Sequence, residues 1–156
     1  MNMPTSRKIR LALTTIGFAG LIVALNAGPA IATTPAFTST PLGRGTDQSN
    51  GTLPIKGGLD VVVAKNVVDP TASSGWHSHP GGVIVVVAEG QITTYRSVGN
   101  HCVVTDYTRG QAFIERPGES LNAKNNGTTI TTIYATFPSV AVGGPTRNDE
   151  PDPGTC

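Results

Sequence analysis

Short β-type runs separated by turn residues are the feature that most constrains the fold of this chain. Each run is rich in Val, Ile, Thr, Tyr and Phe and is bounded by Gly, Pro, Asn or Asp. No convincing helical stripe occurs in this region, so the pattern predicts an all-β protein with antiparallel strands closed into a sandwich or barrel. Asn126-Gly127 predicts a hairpin turn. The runs are LDVVVAKNVV (59–68), VIVVVA (83–88), QITTYRSV (91–98), CVVTDYT (102–108), QAFIE (111–115) and TTITTIYATF (128–137).

The N-terminal sequence predicts export. Three basic residues between positions 7 and 10 precede an apolar run over residues 11–25, and Ala30-Ile31-Ala32 offers a small-residue cleavage site. This order is typical of a secretory signal peptide over residues 1–32. The apolar run is shorter than the ~20 residues that a membrane-spanning helix needs. We therefore expect a secreted or extracytoplasmic protein with no stable membrane insertion after cleavage; an uncleaved anchor is the alternative.

The remaining chain divides into a leader and one domain. Residues 33–54 are rich in Thr, Ser, Pro and Gly and predict a flexible leader. Residues 55–156 then form the barrel with a C-terminal tail, and they are long enough for one compact core. All three basic residues of the signal peptide are removed on cleavage, which leaves the mature chain slightly acidic. Nucleic acid is therefore excluded as an expected partner.

Cys102 and Cys156 are the only cysteines in the sequence. In an exported chain an even pair predicts a disulfide, which here would tie the last residue to the middle of the domain. A loop of this length implies about 4 kcal/mol of stabilisation in the chain-entropy model. Two free thiols are the alternative.

His77 and His79 form a His-x-His pair just before a run of valines. On a continuous strand, the two imidazoles would share one face with Val83, Val85 and Val87. Imidazole pairs of this kind suit one divalent transition metal ion, namely Fe, Mn, Ni, Cu or Zn. Two ligands are fewer than the three or four protein ligands that zinc sites use, so the rest would come from elsewhere.

The spacing around these histidines resembles that of the cupins, in particular the small single-domain cupins of the exported type. The first cupin motif, G-x5-H-x-H-x(3 or 4)-E-x6-G, is matched without gaps, although Thr71 replaces its first Gly and Val83 its Glu. The second motif, G-x5-P-x-G-x2-H-x3-N, is matched at both glycines and the Asn. Arg116 replaces its Pro and Leu121 its His. The resemblance extends over roughly residues 59–137. The matching positions are His77, His79, Gly90, Gly110, Gly118 and Asn125.

This resemblance implies a cupin-type antiparallel β-barrel, or jelly roll, with a degraded metal site. In the family, the two histidines and Glu of the first motif and the His of the second motif bind one metal ion. Here the positions of the Glu and of the third His are Val83 and Leu121, and an aliphatic side chain cannot donate a lone pair. His77 and His79 are the metal ligands that the resemblance leaves.

Three further groups of residues are candidates for the site. His101 could supply a third imidazole from the next hairpin. Glu115 and Glu119 flank the second motif and were interpreted as solvated turn carboxylates. Strand tyrosines such as Tyr95 and Tyr107 are more often packing residues than pocket residues.

Three functional hypotheses follow from these observations. The first is a secreted cupin that binds a small-molecule ligand in the barrel, with its metal site degraded. The alternative is an extracytoplasmic metal-dependent cupin enzyme, of the oxygenase or isomerase type, that uses His77 and His79. The third is a metal-free isomerase with one of these histidines as general base. A homodimer paired through strand edges is also an open expectation.

Overall fold

The computed structural model describes residues 40–49 and 51–156, which form ten strands and no helix. The predicted signal peptide and the first residues of the leader lie outside the described residues. Within them, no helix is long and apolar enough to cross a membrane. The strands are β1 (Thr46–Asp47), β2 (Asp60–Val68), β3 (His77–Ser78), β4 (Val83–Glu89), β5 (Gln91–Val98), β6 (His101–Thr108), β7 (Gln111–Glu115), β8 (Leu121–Lys124), β9 (Thr131–Val140) and β10 (Asn148–Asp149).

The strands form two five-stranded sheets. The order is β1-β7-β4-β9-β2 in the first sheet and β10-β3-β8-β5-β6 in the second. Every pairing is antiparallel except that of β1 with β7. The all-β antiparallel architecture predicted from the sequence is therefore confirmed.

The connection between β4 and β5 carries the chain from one sheet to the other. Gly90 lies at this corner with a φ of +73°. A Cβ there would lie 2.5 Å from the Thr131 hydroxyl, so both the backbone conformation and the close approach require glycine. Gly90 is also the last glycine of the first matched motif, which gives that match a physical reason.

The sequence located six of the strands to within three residues but missed the short ones. β1, β8 and β10 were not predicted, and β3 was assigned to a longer strand. The hairpin predicted at Asn126-Gly127 is wrong, because β8 and β9, on either side of it, belong to different sheets. Gly99-Asn100 instead forms a two-residue hairpin turn between β5 and β6, with Val98 paired to His101.

The core fills the space between the two sheets. Tyr107 is buried and stacks on Phe113 with a ring-centroid distance of 4.3 Å, so it is a packing residue as expected. Tyr95 accepts a hydrogen bond from the side-chain amide of Asn126. The buried apolar cluster comprises Val83, Val85, Val87, Ile92, Tyr107, Phe113, Ile133, Ala135, Phe137 and Val140.

The end of the leader is part of the barrel. β1 pairs in parallel with β7, and the amide of Ile114 donates to the Ser49 hydroxyl at 2.9 Å. The Ser139 hydroxyl donates to the Pro54 carbonyl at 2.7 Å. The last part of the predicted leader thus contributes a strand to the first sheet.

The predicted disulfide is present between Cys102 and Cys156, with an S–S distance of 2.06 Å. It ties the end of the chain to β6. Near the same point, the Thr155 hydroxyl donates to the Ser97 hydroxyl at 2.9 Å. The C-terminal tail is therefore anchored at both ends, since β10 pairs with β3.

Candidate metal centre

The two motif histidines enter the barrel from the second sheet. β3 contains His77, and His79 follows it directly; the chain then turns at residues 80–82 and begins β4 in the first sheet. The prediction of one continuous strand from His77 to Val87 is therefore wrong. The turn packs closely against β9, since a Cβ on Gly81 would overlap the carbonyl of Ser139. His77, His79, Val83 and Val85 nevertheless all line the same cavity.

Backbone hydrogen bonds hold His79 in place, and one of them comes from Gly118 of the second motif. The carbonyl of His79 accepts hydrogen bonds from the amides of Gly82 at 3.2 Å and Gly118 at 3.0 Å. Its Nδ1 lies 2.7 Å from the carbonyl oxygen of Thr146. A carbonyl can only accept, so Nδ1 carries a proton; in the neutral tautomer that this selects, the lone pair lies on Nε2.

His77 is held in the same way. Its Nδ1 donates to the carbonyl of Gly75 at 2.9 Å, and the Ser74 hydroxyl lies 3.3 Å from the same nitrogen. Burial lowers the pKa of His77 below its ordinary value, against the opposing effects of the Gly75 hydrogen bond and the Glu115 charge. The imidazole is therefore neutral at neutral pH, with its Nε2 lone pair available.

Glu115 completes the cluster. It ends β7 and lies directly opposite Val83 in the ladder with β4, and it is 4% exposed. Its Oε2 lies 3.0 Å from Nε2 of His79. The interpretation of Glu115 as a solvated turn carboxylate is therefore wrong: it is a buried carboxylate opposite position 83, where the family's Glu is replaced by Val.

The contact between Glu115 and His79 joins a carboxylate oxygen and a ring nitrogen, which can both act as metal ligands. Despite the short distance, Oε2 of Glu115 accepts no well-directed hydrogen bond from the described residues. With the His79 proton on Nδ1, two lone pairs would face each other there, an arrangement that a cation between them stabilises. Buried oxygens without a hydrogen bond are rare and call for such an explanation.

The three ligand atoms fit a single ion. One atom each from His77, His79 and Glu115 lie within 4.8 Å of one another. Metal–ligand distances of 2.0–2.2 Å imply ~3.0–3.4 Å between neighbouring ligand atoms. The Glu115–His79 distance already matches this range, whereas a pair at the 4.8 Å limit would have to close by about 1.4 Å to reach it. Both imidazoles also donate Nδ1 to a carbonyl, as metal-binding histidines do.

The other predicted positions lie outside this cluster. Leu121 pairs with His77 across the β3–β8 ladder and is fully buried, so hydrocarbon fills the position of the family's third His. His101 is exposed beside the disulfide. Glu119 lies 3.6 Å from Arg96 and accepts a hydrogen bond from the amide of Arg116.

A largely apolar cavity of about 470 Å³ adjoins the cluster. Aliphatic and aromatic side chains from both sheets form its walls, and the His79 ring packs against Phe137 with a centroid distance of 5.0 Å. Arg147 lines the same cavity, where its Nη2 donates to the carbonyl of Ser74. The size and lining are those of a small-molecule site.

Solved structures with similar folds include two structures of oxalate oxidase and one of an oxalate decarboxylase. An oxalate oxidase structure matches with a TM-score of 0.50 and 21% identity, over 57% of this chain and 45% of that one. A recombinant oxalate oxidase in complex with glycolate matches with a TM-score of 0.50 and 20% identity, over the same shares. An oxalate decarboxylase of Bacillus subtilis with Mn(II) centres matches with a TM-score of 0.51 and 15% identity, over 57% of this chain and 23% of that one.

These similarities establish the fold alone. No family model matches the sequence, and no curated protein is similar to it. The chain spans less than half the length of the oxalate oxidases and about a quarter of the decarboxylase. All three are cupin-fold proteins, and the two sheets and matched motifs described above follow the same plan. The chain therefore contains a domain of the cupin fold.

Proposed function

We propose that this protein is a metal-dependent cupin that holds one divalent first-row transition ion with His77, His79 and Glu115, and that a small organic ligand occupies the adjoining cavity. The convergence of these three ligand atoms carries the proposal. Two imidazoles and one carboxylate form a donor set that suits Fe(II), Mn(II), Ni(II) or Zn(II). On this proposal the site is not degraded, because the carboxylate comes from β7 instead of β4.

The residues around the ion would have distinct roles. The carbonyls of Gly75 and Thr146 orient the two imidazoles. Glu115 brings one negative charge, which partly neutralises a divalent ion in a buried site. The apolar walls would limit the access of water to the ligand, and Arg147, which is paired with Asp149, contributes its guanidinium to the cavity lining. A bound ion would supply Lewis-acid chemistry, or electron transfer if it is redox-active.

An enzymatic role is the second candidate, and the ligand count favours it. Structural zinc sites are closed by four protein ligands, whereas catalytic metal sites keep positions open for water and substrate. Three protein ligands with an adjoining cavity correspond to the open type. This supports the oxygenase or isomerase alternative over a purely structural ion. Export from the cytoplasm is part of the proposal, because disulfides persist in oxidising compartments.

Metal titration of the mature protein tests the proposal. Wild type should bind about one equivalent of Mn²⁺ or Zn²⁺, and Glu115→Gln should weaken binding at least ~100-fold, since even an outer hydrogen-bonding partner of a metal ligand is worth 10–100-fold. Glu119→Gln is the matched control, because it removes a nearby carboxylate that is paired with Arg96. Equal losses in both variants, or no binding by wild type, would refute the metal site.

Cobalt substitution tests the open coordination positions. The Co²⁺ protein should show visible bands that shift on adding azide, because a small anion can enter an open position. The same bands should disappear in His77→Ala. A four-coordinate spectrum that azide leaves unchanged would contradict the enzymatic candidate while leaving metal binding intact.

A further inference from the structure

The C-terminal segment, residues 145–156, lies against the histidine-bearing strand. β10 pairs antiparallel with β3, with Asp149 opposite His77 and Asn148 opposite Ser78. The Ser78 hydroxyl donates to Oε1 of Glu150 at 2.7 Å, and the amide of Glu150 donates to the Trp76 carbonyl at 3.0 Å. A segment remote in sequence thus forms the edge of the sheet beside the metal centre.

One contact of this segment reaches a metal ligand directly. The carbonyl of Thr146 accepts the Nδ1 proton of His79 at 2.7 Å. Without this acceptor, the neutral ring could place its proton on either nitrogen and could rotate about its side-chain bonds. The ligand form of His79 therefore depends on the position of Thr146.

Residues 145–150 are held by the contacts described above and by Arg147, whose Nη2 donates to the carbonyl of Ser74; beyond β10, the disulfide is the main anchor of the segment. β10 has two residues and is an edge strand with a single neighbour. Beyond it, residues 151–156 form no strand, and Thr155 makes a single hydrogen bond to Ser97. Segments with short ladders and exposed hydrogen bonds open most easily. The Cys102–Cys156 bond returns the end of the chain to β6 and so limits that opening.

We propose that the C-terminal segment is a positioning element for His79, and that the Cys102–Cys156 disulfide makes the metal affinity depend on its oxidation state. The inference rests on the proposed metal site. A dithiol reductant would transfer two electrons and two protons to the disulfide, giving two cysteine thiols while the dithiol becomes a disulfide. The released segment then no longer holds Thr146 against His79, and the site loses affinity. Cys156 is exposed and accessible to such a reductant.

The test uses two samples: the double variant Cys102→Ser/Cys156→Ser, and wild type reduced with a dithiol. Mn²⁺ binding to each is measured from the EPR signal of the free ion. Mn²⁺ prefers oxygen and nitrogen ligands, so residual thiols would not confuse the same measurement on reduced wild type. Both samples should bind Mn²⁺ 10–100-fold more weakly than oxidised wild type, as expected for loss of an outer hydrogen-bonding partner. Unchanged affinity in a folded double variant would overturn the inference and leave the metal site standing.

Two measurements on the metal-free protein separate this inference from the metal site itself. Nitrogen-15 shifts of His79 should report an Nδ1 proton in oxidised wild type and a mixture of tautomers in the double variant. The amide of Glu150 should exchange faster in the variant, while the β4–β9 amides stay protected. If wild type binds no Mn²⁺, the metal proposal fails, and these readouts still decide the positioning role.

A second variant covers the case in which loss of the disulfide unfolds the protein. Glu150→Gln weakens the contact with Ser78 and keeps the disulfide. It should lower Mn²⁺ affinity several-fold and speed exchange of the Glu150 amide. Asp152→Asn is the matched control, because it removes a charge from the same segment, where its carboxylate accepts a local hydrogen bond from the amide of Gly154. Equal behaviour of the two variants would contradict the inference.

Discussion

The two halves of the proposed metal centre differ in how firmly the chain holds their candidate ligand atoms. In the histidine half, residues 71–79 with the C-terminal segment, each imidazole donates its Nδ1 proton to a backbone carbonyl. In the carboxylate half, the β4–β7 ladder, Glu115 Oε2 accepts no well-directed hydrogen bond from the described residues. The fold thus orients both imidazoles through backbone carbonyls, whereas the nearest partner of Glu115 Oε2 is the His79 ring itself, at 3.0 Å.

The largest expected effect on Mn²⁺ affinity comes from removing the carboxylate of Glu115 and restoring one at position 83, directly opposite in the β4–β7 ladder. Glu115→Val should weaken Mn²⁺ binding at least ~100-fold, about 2.7 kcal/mol. Adding Val83→Glu should recover most of that loss, because directly opposite residues have their Cβ atoms ~5 Å apart on one face. Isothermal titration of both variants measures the recovery.

A second double variant distinguishes the effect of the carboxylate's position from the effect of its charge. Ile84→Glu, combined with Glu115→Val, places a carboxylate one residue further along β4, on the outward face. It should bind no better than Glu115→Val alone. Equal recovery by the two double variants would mean that net charge, and not ligand geometry, governs the affinity.

In the metal-free protein, mutations in the two halves should change the free energy of unfolding in opposite directions. Glu115→Leu replaces a buried carboxylate by hydrocarbon and should raise the free energy of unfolding by about 1–2 kcal/mol. His79→Ala removes a ring that packs on Phe137 and bonds to Thr146, and should lower it by about 2 kcal/mol. Urea denaturation in the presence of a chelator measures both changes. Destabilisation by Glu115→Leu would show that the carboxylate has a structural role beside His79.

Acid should destabilise the folded protein through His77 in the histidine half. Burial lowers the pKa of His77 in the folded state, so the unfolded state takes up a proton more readily. The stability that this contributes is fully present above the ordinary histidine pKa of about 6.5 and is lost as the pH falls toward the lowered folded value. Wild type should therefore lose stability relative to His77→Gln below about pH 6.5.

Thermal unfolding of the metal-free proteins between pH 8 and pH 5.5 measures this difference. The exposed His101 provides the control, because His101→Gln should follow the wild-type pH profile. Parallel profiles for wild type and His77→Gln would contradict a lowered pKa at His77.

The sequence located the histidine half because its signals are local. His77 and His79 are separated by one residue in the chain, and the glycine spacing marks the turns on either side of them. Glu115 was missed because its role depends on strand pairing, which places it opposite Val83. One local signal was available: Glu115 follows Phe113 by two residues, so it shares the inward face of β7. Its position before the Arg116-Pro117-Gly118 turn favoured the solvated interpretation instead.

The short strands were missed for a related physical reason. β8, with the sequence LNAK, has too few β-branched residues to show a strand pattern and forms because it lies between β3 and β5. Asn126-Gly127 has the composition of a hairpin turn, but Asn125 overrides it. The Asn125 side chain donates to the carbonyls of Val68 and Thr129 and accepts from the Gly127 amide. These contacts direct the chain to the other sheet.

The smallest predicted effect concerns the loop that leads to His77. Thr71 occupies the first Gly position of the motif and has a φ of +68°, a conformation that costs a non-glycine residue roughly 1–2 kcal/mol. Thr71→Gly relieves this strain but adds backbone entropy to the unfolded chain, so we expect a net stabilisation of about 0.5–1 kcal/mol. The Thr71 amide donates to the Asn125 carbonyl at 2.9 Å, and glycine keeps that bond. A higher urea midpoint with unchanged Mn²⁺ affinity is the expected result; a lower midpoint would mean that contacts of the threonine side chain outweigh the strain.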